Sequence, residues 1–433
     1  MLLTDKKIPK ILMLGWEFPP VINGGLGVAC HDLAIAMGSY ADITMIIPKA
    51  DKNQRFDNIN LIGLNNIGSD FANLNTEEKT VFSDEKTVFV NSNLNPYYFD
   101  GIKYLEEEED FHKINLKDNL SDFCIDSLYG GDVIEKVKHF AKLATQIAIK
   151  RDFDIIHCHD WMTMLAGIAI KKETGKPLVV HVHSLEVDRG GPDSKGWVYH
   201  TEKKCMEQAD VLIPVSNFTA DIIKNHYGIC QEKIYPVHNG IRNVKPFKTK
   251  KKYKEKTVLF IGRLTRQKGP EFFLDIACKI LKSNPNVRFV MAGSGNNYSK
   301  MVEDSAKKKI GNKFHFTGFL NTKELNKLLS FTDVYVMPSV SEPFGLSAVE
   351  AAQFGIPCVI SKQSGVAEVL QGALKFDFWD TKKASDYILN LLKDNVLAEK
   401  VKKDAYQNLK HISWEIAAKK VIDTYQQFNF IAN

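Results

Sequence analysis

The residues best suited to chemistry lie in Ser339-Val340-Ser341-Glu342-Pro343-Phe344-Gly345-Leu346-Ser347-Ala348-Val349-Glu350. A strand predicted over Asp333–Met337 leads into this segment. Pro343 and Gly345 keep the chain out of a helix at first, and a helix can begin near Leu346. The backbone N–H groups of Gly345, Leu346 and Ser347 then stand unpaired at a helix N-terminus. Such a turn suits a phosphate, and Gly345 lets it approach closely. Glu342 comes before the helix, beyond the strand's carboxyl end, and Glu350 sits about one turn inside. One carboxylate can face a reacting sugar, and the other can accept hydrogen bonds from ribose hydroxyls. Taken singly, each of these residues favours a plainer reading, a helix start and an exposed helical glutamate. The full spacing, directly after a buried strand, favours a site.

A second constellation is Gly262-Arg263-Leu264-Thr265-Arg266-Gln267-Lys268-Gly269, after an apolar run at Val258–Ile261. Open α/β sheets bind ligands at the carboxyl ends of their strands. A diphosphate leaving group needs fixed positive charge there. Arg263 can grip two oxygens and Lys268 can act as a point charge. Arg266 is expected to face solvent. The glycines of Asn23-Gly24-Gly25-Leu26-Gly27 open another predicted helix, from about Leu26. They match neither a dinucleotide fingerprint nor a P-loop, so they read as a tight turn or a close backbone approach to phosphate.

Two strands end in histidine, Ile155-Ile156-His157-Cys158-His159-Asp160 and Val180-His181-Val182-His183. Alternation puts Cys158 on the face opposite His157 and His159, which argues against a metal set. His159, Asp160 and His183 are expected to be loop residues lining a sugar pocket, and His157 and His181 to be structural. Asp160 could equally be the N-cap of the next helix. Asp152-Phe153-Asp154 could hold a divalent ion. It precedes a strand, however, at the amino end of the sheet, so it reads as a solvated loop. No metal is expected.

These residues need elements that can place them. Short β-branched runs alternate with helix-like segments along the whole chain, and most lack period-two alternation. That pattern fits strands buried on both faces of a parallel sheet. The strand–loop–helix opening occurs twice, at Ile11 and at Val258, which implies two Rossmann-like domains. The expected division is a first Rossmann-like domain over 1–242 and a lysine-rich linker over 243–256. A second Rossmann-like domain follows over 257–412, and a helix closes the chain over 413–433. Residues 63–130 show the least regular pattern, and the Glu106–Asp110 run reads as a solvated insertion. The linker's Lys250, Lys251 and Lys252 could instead touch a membrane or nucleic acid.

Composition sets the outer limits. The chain has 433 residues, 57 Lys plus Arg against 52 Asp plus Glu, 44% hydrophobic and 25% charged. Those values exclude a disordered, collagen-like or coiled-coil chain. A net charge of +5 does not point to nucleic acid. No apolar run is long enough to cross a membrane. Asp5, Lys6, Lys7 and Lys10 stand where a signal peptide needs apolar residues. Seven cysteines with no C-x-x-C suggest neither a disulfide framework nor a zinc ribbon. A cytoplasmic location is expected.

The motifs together resemble the retaining glycosyltransferases of the two-domain GT-B fold, in the family 4 group, and most of all the glycogen and starch synthases. They occur in the family's order: Gly24-Gly25-Leu26-Gly27, His159-Asp160-Trp161, the His183 turn, Val237-His238-Asn239-Gly240, Arg263 to Lys268, and Glu342…Glu350. The resemblance implies that Arg263, Lys268 and the Gly345–Ser347 backbone hold the donor diphosphate, with Gly25 approaching it from the first domain. It further implies that Glu342 contacts the donor sugar, Glu350 the ribose, and His183 the region of the anomeric carbon. Gly293 and the Gly318-Phe319 loop would hold the base. Glu17, His159 and Asp160 would face the sugar or acceptor side. The last helix, Trp414–Phe428, would cross back to the first domain. Many bacterial starch-type synthases carry a lysine before the paired glycines, where this chain has Asn23. The implied donor is ADP-glucose or UDP-glucose, the implied acceptor an α-glucan, and no cofactor is implied. Self-association stays open. Two rival readings are a family 4 transferase acting on a lipid-linked or small sugar acceptor, and a GT-B-fold epimerase. The paired glutamates argue against the epimerase.

Overall fold

A computed structural model describes residues 8–431 except Asn23, 70–127, Tyr129, Gly131, Lys250 and Lys252. The expectations for Glu106–Asp110, Asn23, Lys250 and Lys252 therefore lie outside the described residues.

The first sheet contains β1 (Lys10–Leu14), β2 (Asp42–Ile47), β3 (Ile59–Gly63), β4 (Ile155–His159), β5 (Leu178–Val182) and β6 (Val211–Pro214). They lie in the order β3-β2-β1-β4-β5-β6, every pair parallel. The helices that cover it are α1 (Gly25–Met37), α2 (Val133–Ala148), α3 (Trp161–Thr174), α4 (Glu186–Gly190), α5 (Trp197–Gln208) and α6 (Asn217–Ile222). The second sheet contains β7 (Lys256–Ile261), β8 (Val287–Ala292), β9 (Phe314–Gly318), β10 (Val334–Met337), β11 (Cys358–Ser361) and β12 (Leu374–Phe376). Its order is β12-β11-β10-β7-β8-β9, again all parallel. Its helices are α7 (Pro270–Ser283), α8 (Tyr298–Lys307), α9 (Thr322–Leu329), α10 (Leu346–Gln353), α11 (Val366–Val369), α12 (Thr381–Lys393) and α13 (Asn395–Asn408). A last helix, α14 (Trp414–Gln427), follows.

Counted from its own first strand, each sheet has the same doubly wound order. The strand order reverses at β1/β4 in one and at β7/β10 in the other, and crevices open there at the carboxyl ends. This is the expected pair of Rossmann-like domains. The central strands read as unbroken apolar runs because helices cover both faces: every residue of β4, β5 and β10 is buried. The sequence reading missed β3, β9 and β12. Each is a half-exposed edge strand with a mixed pattern, so the apolar signal is diluted.

The last helix returns to the first domain, as the resemblance implied. Ser413 caps it by accepting from the Ile416 N–H. Its buried face, Trp414, Ala417, Ala418, Val421, Ile422 and Tyr425, joins one apolar cluster with α1, β1 and β2. The period of those positions selects that face.

Candidate active site

The carboxyl end of β7 runs through Arg263 into a single tight turn, Arg266–Lys268. From that turn Lys268 Nζ donates to Glu342 Oε2 at 2.6 Å, and Ser339 Oγ donates to the same oxygen at 3.2 Å. The two expected catalytic groups are thus in contact. Glu342 is buried, so its charge is matched by a cation instead of by water. Arg263 lies exposed on the same loop.

Gly345 caps the start of α10 at φ +110°, with no side chain bonding the first amides. A β-carbon there would meet Val366, Met337 and the Glu342 side chain at 3.0–3.3 Å. Left-handed geometry and crowding both require glycine. Ser347 Oγ is 2.7 Å from the Tyr335 hydroxyl of β10, which fixes the helix start against the sheet. Glu350 sits half-buried on the fifth residue of α10. Burial pushes its pKa up to about 7, against the pull of Arg242.

The loops after β8 and β9 close the other side. Gly293 N–H donates to Gly318 O at 2.9 Å. A β-carbon on Gly293 would stand 2.0 Å from the Gly262 carbonyl oxygen. This close packing makes a shelf beside Arg263, with the Phe319 ring 43% exposed at its edge.

The first domain meets this crevice with its own helix start. The β-carbon position of Gly25 faces Leu346 Cδ1 at 3.8 Å, so the N-termini of α1 and α10 oppose each other. Leu346 packs partly against apolar clusters of both domains. The chain after β5 also crosses over. Ser341 Oγ donates to Asp188 Oδ1 at 2.5 Å, one residue from Glu342. Burial raises the Asp188 pKa, and the Glu342 charge adds to the rise. Arg266, expected to face solvent, is exposed yet reaches the Gly190 carbonyl at 3.4 Å. The contact has a simple cause: the second domain's loop is closed against α4.

His183 ends the strand-to-loop turn before α4, and its N–H donates to Asp160 Oδ1 at 2.7 Å. The Ser184 N–H donates to the same oxygen at 3.2 Å. Asp160 therefore does not cap α3. It holds the His183 turn, from a backbone at φ +58°. Burial pushes the Asp160 pKa up to about 7, against the His183 N–H and Arg189. The pocket-lining role expected of His159 needs correction as well. It is the last residue of β4 and fully buried, and its Nδ1 lies 2.9 Å from His183 Nε2. Glu17 and Asp160, which the resemblance puts on the sugar or acceptor side, are 3% and 4% exposed. β4 is buried to its last residue, and Cys30 of α1 lies within 4.8 Å of a His159 ring nitrogen. Burial drives the His183 pKa down to about 3, so its ring is neutral. His157 and His181 are buried as expected, and His157 Nδ1 bonds the Tyr425 hydroxyl of α14.

Sequence reading overlooked the support under this turn. Arg189 is 2.7 Å from Glu202 and 3.2 Å from Glu186. Glu202, fully buried, also accepts from the Tyr227 hydroxyl at 2.5 Å and from the Glu186 N–H. The charged run Glu186-Val187-Asp188-Arg189 after the His183 turn was the available signal. The Asp152–Asp154 pair lies at the amino end of the first sheet, as expected. Asp152 pairs with Lys10 at 2.7 Å, and Asp154 accepts the Lys10 N–H at 2.9 Å.

Comparison with known proteins adds an independent line. Residues 241–408 match the family model for glycosyl transferases group 1, and residues 129–243 match that for glycosyltransferase family 4. An uncharacterized glycosyltransferase of Methanocaldococcus jannaschii is 27% identical, with 96% of this chain and 98% of that one covered. The glycogen synthase of Mycobacterium tuberculosis is 25% identical over 96% of this chain and 94% of its own. Among solved structures, sucrose-phosphate synthase from Thermosynechococcus elongatus superposes with a TM-score of 0.70. It is 18% identical, with 97% of this chain and 99% of that one covered. Among the described residues no helix is long and apolar enough to cross a membrane.

Proposed function

We propose that the chain is a glycosyltransferase of the GT-B, family 4 type that moves glucose from ADP-glucose or UDP-glucose to an α-glucan with retention at the anomeric carbon. The observation that carries this reading is the contact of Lys268 with Glu342 beside the uncapped turn at Gly345, with Gly25 opposite the start of α10 across the crevice. The full-length likeness to a glycogen synthase supports the glucan acceptor.

In this reading the transition state is oxocarbenium-like, and negative charge grows on the departing diphosphate. Arg263, Lys268 and the amides of Gly345–Ser347 stabilise that charge more in the transition state than in the ground state. The diphosphate competes with Glu342 for the Lys268 ammonium, which frees the carboxylate to face the sugar. His183 offers a hydrogen bond from a neutral ring instead of a charge. Glu350 accepts the ribose hydroxyls, and the Gly293 and Gly318 shelf takes the base. Closure between Asp188 and Ser341 keeps water from hydrolysing the donor. Retention is compatible with a covalent intermediate on Glu342 and with direct same-face attack by the acceptor.

The test is a donor panel of ADP-glucose, UDP-glucose and GDP-mannose with glycogen, reading nucleotide release and the anomeric configuration of the product. Glucose transfer that depends on glycogen and gives an α-linkage is expected. Nucleotide release that ignores the acceptor would sink the reading. Lys268→Ala and Arg263→Ala should each lower kcat by about 100–1000-fold while circular dichroism stays unchanged. Near-normal turnover in either variant would remove the diphosphate assignment.

A further inference from the structure

Four histidines stand on one face of two neighbouring strands, His157 and His159 on β4 and His181 and His183 at the end of β5. His159 and His181 are direct partners in the parallel register. The rings form a compact array, with centroids 4.7 Å apart for His157–His159 and 5.4 Å for both His157–His181 and His159–His181. Three of them, His157, His159 and His181, each offer a ring nitrogen within 4.8 Å of the others. All three side chains are at most 1% exposed.

Their hydrogen bonding is incomplete in one particular way. His157 Nδ1 is bonded to the Tyr425 hydroxyl and His159 Nδ1 to His183 Nε2. His157 Nε2, His159 Nε2 and both ring nitrogens of His181 have no partner among the described residues. Buried polar atoms left unpaired are costly and rare, so this concentration calls for a ligand. Two histidines at alternate positions of one strand and a third across the neighbouring strand present three imidazoles on one face. A metal-bound histidine usually gives its other ring N–H to an outer partner, and here Tyr425 and His183 are those partners.

We propose that His157, His159 and His181 bind a divalent transition ion of the zinc type. The three imidazoles supply nitrogen ligands of the kind zinc takes, and small shifts bring the nitrogens to bonding distance. The Cys30 sulfur on α1 lies within 4.8 Å of ring nitrogens of His159 and His183, in a second group that shares His159 with the first. Binding at His159 Nε2 fixes the proton on its Nδ1, which then donates to His183 Nε2. The ion would thereby hold the His183 ring in one orientation with Nδ1–H as its donor. It acts as a structural brace and does not touch the diphosphate. The site stands whether or not the transfer reaction is assigned correctly.

The experiment uses the full chain from cells grown with zinc, and separately with cobalt, dialysed before elemental analysis. About one zinc per chain is expected, and the cobalt form should show the visible d–d bands of a four-coordinate ion. His181→Leu and His157→Phe should each lose the ion. Tyr425→Phe should weaken retention against a competing chelator by roughly 10–100-fold. A parent protein with well under one ion per chain and no cobalt bands would overturn the proposal, even if the histidine variants fail to fold. Equal zinc in the parent and in a folded His181→Leu variant would also overturn it, because the ion would then be adventitious.

Discussion

At the residue scale, Glu350 makes the clearest claim about pH. Burial raises its pKa to about 7, so the carboxylate gains a proton as the solution is acidified through neutrality. In the proposed role, a protonated Glu350 would lose its charge-assisted acceptance of the ribose hydroxyls. The donor kcat/KM should therefore fall as pH drops through about 7, by up to about tenfold per unit. Glu350→Gln should lower kcat/KM by about 1.5–3 kcal/mol, on the order of 10–100-fold, and abolish that acid limb. An acid limb that survives in the variant would assign it elsewhere, with Asp160 next in line because it too titrates near 7. The types and spacing of these residues were legible in the sequence, since Glu342, Glu350, Arg263 and Lys268 occupy loops and helix starts fixed by local signals. What each one touches was not. That Lys268 pairs with Glu342, or that Asp160 holds the His183 turn instead of capping a helix, depends on contacts 74 and 23 residues apart along the chain.

At the element scale, the start of α10 is the part of the site that a single methyl group can probe. Gly345 sits at φ +110°, and an added β-carbon meets Val366, Met337 and Glu342 at 3.0–3.3 Å. Gly345→Ala should cost about 1–3 kcal/mol of stability from backbone strain. It should also raise the donor KM, because the amides proposed to face the diphosphate would turn away from it. A titration melt and donor kinetics on the same preparation separate the two effects. Unchanged stability with unchanged KM would show that the turn relaxes without consequence and that its geometry is not what holds phosphate. The central strands were readable because double burial leaves an uninterrupted apolar run. The edge strands β3, β9 and β12 were not, because half of each faces outward. The face of α14 was readable from its period, whereas its packing on α1 became visible only with the whole chain folded.

At the scale of the whole molecule, the question is what holds two independent sheets at one crevice. Glu368 on α11 of the second domain reaches the start of α6 in the first. Its Oε2 accepts from Asn217 N at 3.0 Å, Asn217 Nδ2 at 2.9 Å and His238 Nε2 at 2.7 Å. Its Oε1 accepts from Phe218 N at 2.6 Å. Beside it, Ser216 Oγ donates to the Pro343 carbonyl at 2.6 Å, two residues before Gly345. No local sequence signal announced this clamp, because a lone glutamate on a four-residue helix looks like surface. Burial opposes the ionised carboxylate, but His238 and the Phe218 and Asn217 amides outweigh it and keep the Glu368 pKa below its ordinary value. The clamp is therefore intact above the ordinary glutamate range and is lost as pH falls through that lowered value. Glu368→Ala removes the clamp while each sheet keeps its own core. Losing a set of partly exposed, charge-assisted bonds should shift the balance toward an open form by about tenfold. Small-angle scattering should then show a larger radius of gyration without donor, shrinking toward the parent value as donor is added, with a raised donor KM. If the variant scatters like the parent and binds donor equally well, the crevice is held by Asp188–Ser341 and Arg266–Gly190 instead, and closure is set at the mouth of the site, not at its hinge.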